Sequence, residues 1–246
     1  MERKVQKILE SQLTLEGAGV KLKRVLGNDD DSTLDPFLLL DHFGSDNPED
    51  YIKGFPWPIK AAKGVLGPQQ IETALRPENI HYPVPALVCV ENTHNRYGGT
   101  VVSPKQLETI SNVAKRYSLK VYMDGARIFN AAVALNLDVK EFTKHVDNLM
   151  FCLSKGLSCP VGSIIVGNKD FIDRARKNRK LLGGGMRQAG IIAAPGIIAL
   201  ENMIDRLKID HDNAKLLGEK LIKIRGVNVD LKNVQTNMVT LSLIHI

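Results

Sequence analysis

The chain has 246 residues, 43% of them apolar and 24% charged, enough for one large domain or two modest ones around a real core. No stretch approaches the roughly 20 apolar residues of a bilayer helix, and the first residues lack the apolar run of a secretory leader, so a soluble cytoplasmic protein without a membrane partner is expected. The net charge of +6 does not point to nucleic acid: residues 1–57 carry 7 Lys and Arg against 11 Asp and Glu, the remainder 26 against 16, and the basic run from Arg174 to Lys180 has no interleaved aromatics, which suits a solvated helix face.

In chain order, Gly17, Gly19, Gly27 and residues 28–32 read as turns, and 37–41 as a short buried strand. Two prolines flank Trp57 and forbid regular structure there, which predicts a boundary near residue 57. A helix follows over 68–75, then a buried strand over 86–90 that stops at Glu91-Asn92-Thr93-His94-Asn95. Ser103 caps the next helix with Pro104 at its first position, and Leu107, Ile110, Val113, Ala114 and Tyr117 line one face. Strands are predicted over 119–123, 148–153 and 161–166, with crossover helices over 129–137 and 140–145. A helix over 171–182 stops at Gly183-Gly184-Gly185. The helical region 188–224 is expected to break at Pro195-Gly196 and to end at Gly226. This alternation predicts an α/β layer with a mostly parallel sheet. Cys89, Cys152 and Cys159 form no CxxC pair and read as small buried hydrophobes, not as a disulfide or a metal site.

In open α/β sheets ligands bind beyond the carboxyl ends of the strands. The residues there are Glu91-Asn92-Thr93-His94, Asp124-Gly125-Ala126-Arg127 and Ser154-Lys155-Gly156, so a carboxylate, a guanidinium and a lysine are expected to converge at one edge. Lys155 is either a surface lysine with a buried stem or a Schiff-base nucleophile. Asp124 either caps the next helix or serves the chemistry. A lysine and an aspartate ahead of a Gly-rich segment are what pyridoxal phosphate needs: the lysine forms an imine, and the carboxylate keeps the pyridine nitrogen protonated.

Four blocks then carry a resemblance. Glu91-Asn92-Thr93-His94-Asn95 with Gly98-Gly99, the stretch Met123-Asp124-Gly125-Ala126-Arg127-Ile128-Phe129-Asn130-Ala131, Cys152-Leu153-Ser154-Lys155-Gly156-Leu157 with Pro160-Val161-Gly162-Ser163, and Arg179-Lys180 through Gly183-Gly184-Gly185-Met186-Arg187-Gln188-Ala189-Gly190 resemble the low-specificity threonine aldolases, which are fold-type-I pyridoxal phosphate lyases. The resemblance implies Lys155 as the imine-forming lysine, Asp124 as partner of the pyridine nitrogen, Arg127 near the ring and the substrate carboxylate, and Ser154, Lys180 and Arg187 in the cofactor region. It also implies His81 near the substrate hydroxyl, although alone His81 reads as structural. The role of His94 stays open. The implied reaction is retro-aldol cleavage of a β-hydroxy-α-amino acid, such as L-threonine or L-allo-threonine, to glycine and an aldehyde, in a dimer or tetramer.

The N-terminal part departs from that pattern. Leu34-Asp35-Pro36-Phe37-Leu38-Leu39-Leu40-Asp41-His42-Phe43 and Gly54-Phe55-Pro56-Trp57 resemble the start of pirin, a metal-binding protein of another fold, but the histidine ligands do not follow and no metal site is expected. The fold class implied is α/β: a partial fold-type-I transferase-like sheet with flanking helices over 58–225, preceded by a short β-rich pirin-like segment over 1–57 and followed by the start of a small C-terminal domain over 226–246. The resemblance stops short at both ends, so weak or absent activity is expected. β-Elimination on the same scaffold and a pirin-like metal-binding regulator are the alternatives.

Overall fold

A computed structural model describes residues 37–40, 55–82 and 84–243. The turns expected before residue 37, His42 and the last three residues lie outside these, as does most of the pirin-like segment.

The main sheet has six strands in the order β2-β1-β3-β4-β5-β6: β1 (Phe37–Leu40), β2 (Phe55–Pro58), β3 (Pro85–Glu91), β4 (Lys120–Asp124), β5 (Asn148–Cys152) and β6 (Ser163–Val166). β3, β4 and β5 run parallel, whereas β1, β2 and β6 pair antiparallel with their neighbours. Contrary to the expectation that the prolines forbid regular structure there, β2 runs through Pro56-Trp57-Pro58, because it lies at the sheet edge and pairs only with β1. The sheet is therefore mixed, with a parallel centre, where the alternation suggested a mostly parallel one. The physical reason is the short connection from β5 to β6, about ten residues, which turns the chain back where a parallel crossover needs a dozen or more.

Helix α1 (Pro68–Ala74) precedes β3, and α2 (Pro104–Arg116) joins β3 to β4. The cap of α2 is as expected: the Ser103 Oγ accepts from the Gln106 N–H, and the Gln106 side chain reciprocates to the Ser103 N–H at 2.8 Å. Leu107, Ile110, Val113 and Ala114 are buried against Val88, Val90, Val121 and Met123 in one core. Tyr117 instead lies exposed, because the helix has ended and the residue is its C-terminal cap.

From β4 the chain forms α3 (Ile128–Leu135) and the single turn α4 (Lys140–Thr143), then β5. After β6 comes α5 (Lys169–Leu181), started by Asn168 accepting from the Phe171 N–H at 2.9 Å. Helix α6 (Gly190–Asn202) passes through Pro195 without a break, contrary to the sequence expectation. A proline forfeits one backbone bond, and the buried small residues Ala193, Gly196 and Ala199 let the helix lie flat on the structure, Gly196 against Leu153. The interruption falls later, before α7 (Leu207–Leu221). Strands β7 (Val227–Val229) and β8 (Leu241–Leu243) form a separate antiparallel pair around a short 3₁₀ turn at Leu231–Asn233.

Candidate active site

The three parallel strands end side by side. Register places Glu91 opposite Asp124 and Asp124 opposite Met150. Beyond the strands the backbone stays stitched: the Asn92 N–H donates to the Asp124 carbonyl and the Gly125 N–H to the Met150 carbonyl, each at 2.8 Å. A β-carbon on Gly125 would stand 2.8 Å from that same Met150 oxygen, so a side chain there would push the end of β4 off β5. The Ala126 N–H donates to Asp124 Oδ1 at 3.0 Å. Asp124 thus closes the turn into α3 with one oxygen. The residue capping α3 is Arg127, with no side-chain cap bond.

Lys155 sits in the turn directly after β5, closed by the Ser158 N–H donating to the Lys155 carbonyl at 2.9 Å. That turn is wedged against two helices: a β-carbon on Gly156 would meet Leu207 Cδ2 of α7 at 2.7 Å and Asn130 Oδ1 of α3 at 3.4 Å. The fixed turn leaves the Lys155 side chain exposed, with its charge acting on Cys152. Burial raises the Asp124 carboxyl above its ordinary range, while the Ala126 N–H and the charges of Lys155 and Arg127 pull it down. Cys89, Tyr122 and Cys152 surround this carboxylate, and burial pushes all three up, with the Asp124 charge adding to the effect. The carboxylate, guanidinium and ammonium expected at one sheet edge therefore share one electrostatic field in a poorly hydrated wall.

A second carboxylate belongs to the same field. Burial, reinforced by the Asp124 charge, pushes Glu91 from 4.5 to about 7, against the Asn95 N–H and the Arg127 and Lys155 charges. Its Oε1 accepts from the Asn95 N–H at 3.1 Å, and its Oε2 lies 3.8 Å from Nε2 of the fully buried His94. The folded protein holds the Glu91 proton more tightly than the unfolded chain does, so stability falls as pH rises from about 4.5 to about 7. Glu91→Gln keeps an oxygen for the Asn95 N–H and removes the titration. Its thermal midpoint is expected to exceed that of the parent at pH 8 and to converge with it at pH 5; a pH-independent difference would contradict the assignment.

The other sequence-predicted residues lie apart. Ser154 is half-buried at the start of the lysine turn, while Lys180 and Arg187 are exposed at the end of α5 and beyond it. Neither of those two is among the charges acting on Asp124 or Glu91. His81 is exposed, its N–H donating to Asn79 Oδ1 at 2.9 Å. Its neighbour Tyr82 lies 4.8 Å below the Arg76 guanidinium, which also covers Trp57 at 4.0 Å. This turn precedes β3, whose seven residues run on to Glu91, so His81 is not gathered with the cluster. Sequence reasoning missed the contact of Asn95 Oδ1 with Arg127 Nη1, at 3.1 Å. The only signal for it was the position of Asn95 just beyond a strand.

A sequence model of the beta-eliminating lyase family matches residues 39–243. Low-specificity L-threonine aldolase 1 of Arabidopsis thaliana is 42% identical over 182 residues, covering 73% of this chain and 51% of the relative. The low specificity L-threonine aldolase of Escherichia coli (strain K12) is 45% identical over 184 residues, covering 74% and 54%. Alanine racemase TOXG of Cochliobolus carbonum is 34% identical over 180 residues, covering 70% and 45%. The chain thus spans about half the length of these relatives. Among solved structures, one assigned as an L-allo-threonine aldolase of Listeria monocytogenes superposes with a TM-score of 0.66 at 23% identity, covering 80% of this chain and 54% of that one, and Leishmania major threonine aldolase with a TM-score of 0.59 at 22%, covering 70% and 51%. These likenesses concern the fold, whereas the match over 39–243 takes in β3 to β6 and every charged group of the cluster: the chain belongs to the beta-eliminating lyase family.

Proposed function

We propose that this chain carries the catalytic centre of a pyridoxal phosphate-dependent lyase that cleaves β-hydroxy-α-amino acids, L-threonine or L-allo-threonine, to glycine and an aldehyde. The observation that carries the reading is Asp124 and Lys155 at the ends of adjacent parallel strands, each within the other's field. Burial holds the Asp124 carboxyl above its ordinary range even with Lys155 and Arg127 nearby, so the site stabilises a further cation beside it. A protonated pyridine nitrogen is such a cation, and the donor set fits.

Bound there, the cofactor supplies an electron sink for the pair released from the substrate's Cα–Cβ bond. Lys155, in the turn after β5, would hold the cofactor through its amine. Asp124 keeps a proton on the ring nitrogen, a task that its ionised form performs and that a cation beside it favours. Arg127 offers a guanidinium, held at one end by Asn95, to an anionic group such as the substrate carboxylate. Buried Cys89 with half-buried Tyr122 and Cys152 thins the water around these charges, which strengthens each of them.

The similarity to the two threonine aldolases supports the aldol reading, and the family match also fits β-elimination. Incubating the purified chain with pyridoxal phosphate and L-threonine separates them: whatever turnover the chain supports is expected to give glycine and acetaldehyde in equal amounts, whereas ammonia with a 2-oxo acid would replace this reading with elimination. Residues 58–225 are proposed to supply part of the cofactor-binding domain and 226–246 to open the smaller one. The largely exposed Ile191 and Ile198 of α6 support an assembly of two or four copies. The cytoplasm is the proposed location.

A further inference from the structure

The loop after β3 is fixed from three directions. From below, Glu91 Oε1 takes the Asn95 N–H at 3.1 Å. From the side, the buried Asn92 amide brackets Val102, donating to its carbonyl at 2.9 Å and accepting its N–H at 3.1 Å. From above, residues more than 130 positions away close over it: the Asn233 amide donates to the Tyr97 carbonyl at 2.7 Å, Thr236 Oγ1 to the Gly99 carbonyl at 3.0 Å, and the Val101 N–H to Gln235 Oε1 at 3.0 Å. From this loop the Asn95 side chain reaches the charge cluster, its Oδ1 accepting from Arg127 Nη1 at 3.1 Å.

A guanidinium has five donors and a long flexible stem, so without a partner it samples many positions. Arg127 acts on Glu91, Asp124 and Cys152 alike, and its position therefore sets the balance of charge around Lys155. We propose that Asn95 is a positioning residue that aims the Arg127 guanidinium at the Asp124–Lys155 site, with segment 233–236 clamping the loop that carries it. The C-terminal segment is thereby tied to the cofactor site through one side-chain contact, and anything that lifts 233–236 releases Arg127. This inference rests on the cofactor reading above.

The test has two readouts on the 246-residue chain. Phenylglyoxal, mapped by peptide mass spectrometry on cofactor-free protein, reports the freedom of Arg127. Labelling is expected to rise several-fold at Arg127 in Asn95→Ala and to stay near the parent rate in Asn95→Asp, with Arg116 as an internal reference; unchanged labelling of Arg127 in Asn95→Ala overturns the proposal. The second readout is pyridoxal phosphate affinity in a double-mutant cycle with Arg127→Ala. Asn95→Ala is expected to raise Kd about 10-fold with Arg127 present, as for loss of one hydrogen bond to a charged group, and hardly at all without it. An equal loss in both backgrounds overturns the positioning role, because the effect then does not pass through Arg127. Failure of the parent to bind pyridoxal phosphate removes the cofactor reading and the positioning role with it, while the labelling result still decides the contact, so the two failures are distinguishable.

Discussion

Lys155→Ala is expected to abolish the visible absorbance that the parent gains with pyridoxal phosphate and to lower whatever cleavage of L-threonine the parent supports by on the order of 10⁴-fold or more, the scale at which enzymes lose activity with their nucleophile. The expectation follows from the turn after β5. Ser158 closes it and Gly156 lets it lie flush against Leu207 and Asn130, so the backbone stays in place when the side chain is removed. Thermal stability should therefore change little, Lys155 being exposed. Lys177→Ala, on the exposed face of α5, is the control and should keep both absorbance and activity. Parent-like absorbance in Lys155→Ala would show that another lysine holds the cofactor.

Asp124→Asn separates binding from chemistry. The amide retains an oxygen for the Ala126 N–H, so the turn into α3 survives, but the charge that favours a proton on the ring nitrogen is gone. Absorbance with pyridoxal phosphate should persist while kcat falls by on the order of 100- to 1,000-fold, the cost of removing one preorganised electrostatic partner. The same change lifts a charge that raises the Glu91 carboxyl. Glu91 should then titrate at lower pH in Asp124→Asn than in the parent, which carbon-13 NMR of the labelled glutamate carboxyl would record. An Asp124→Asn variant with parent-like kcat would exclude the pyridine-partner role.

How much of this was legible in the sequence depends on the range of the interaction concerned. The cap of α2, its buried face and the strands that end at Glu91 and Asp124 follow from local chemistry: a Ser-Pro start with Gln three residues on, apolar residues at helical spacing, and short apolar runs. The convergence of Asp124, Arg127 and Lys155 was legible too, since parallel strands place their following residues at one edge. What escaped depends on partners distant in sequence. Helix α6 runs through Pro195 because small residues let it pack on Leu153, which no local rule reveals. The antiparallel turn into β6 overrides the βα alternation. The raised Glu91 carboxyl needs the neighbouring Asp124 and burial by the assembled sheet edge. The hold of Gln235 and Thr236 on the 97–101 loop joins segments with no common motif.

The most direct test of the account is to add pyridoxal phosphate to the purified chain, reduce with borohydride and map the modified lysine by peptide mass spectrometry. The account predicts one stoichiometric phosphopyridoxyl group on Lys155, much reduced in Asp124→Asn/Arg127→Ala. Modification spread over exposed lysines such as Lys177, Lys180 and Lys208, or none at all, would contradict it.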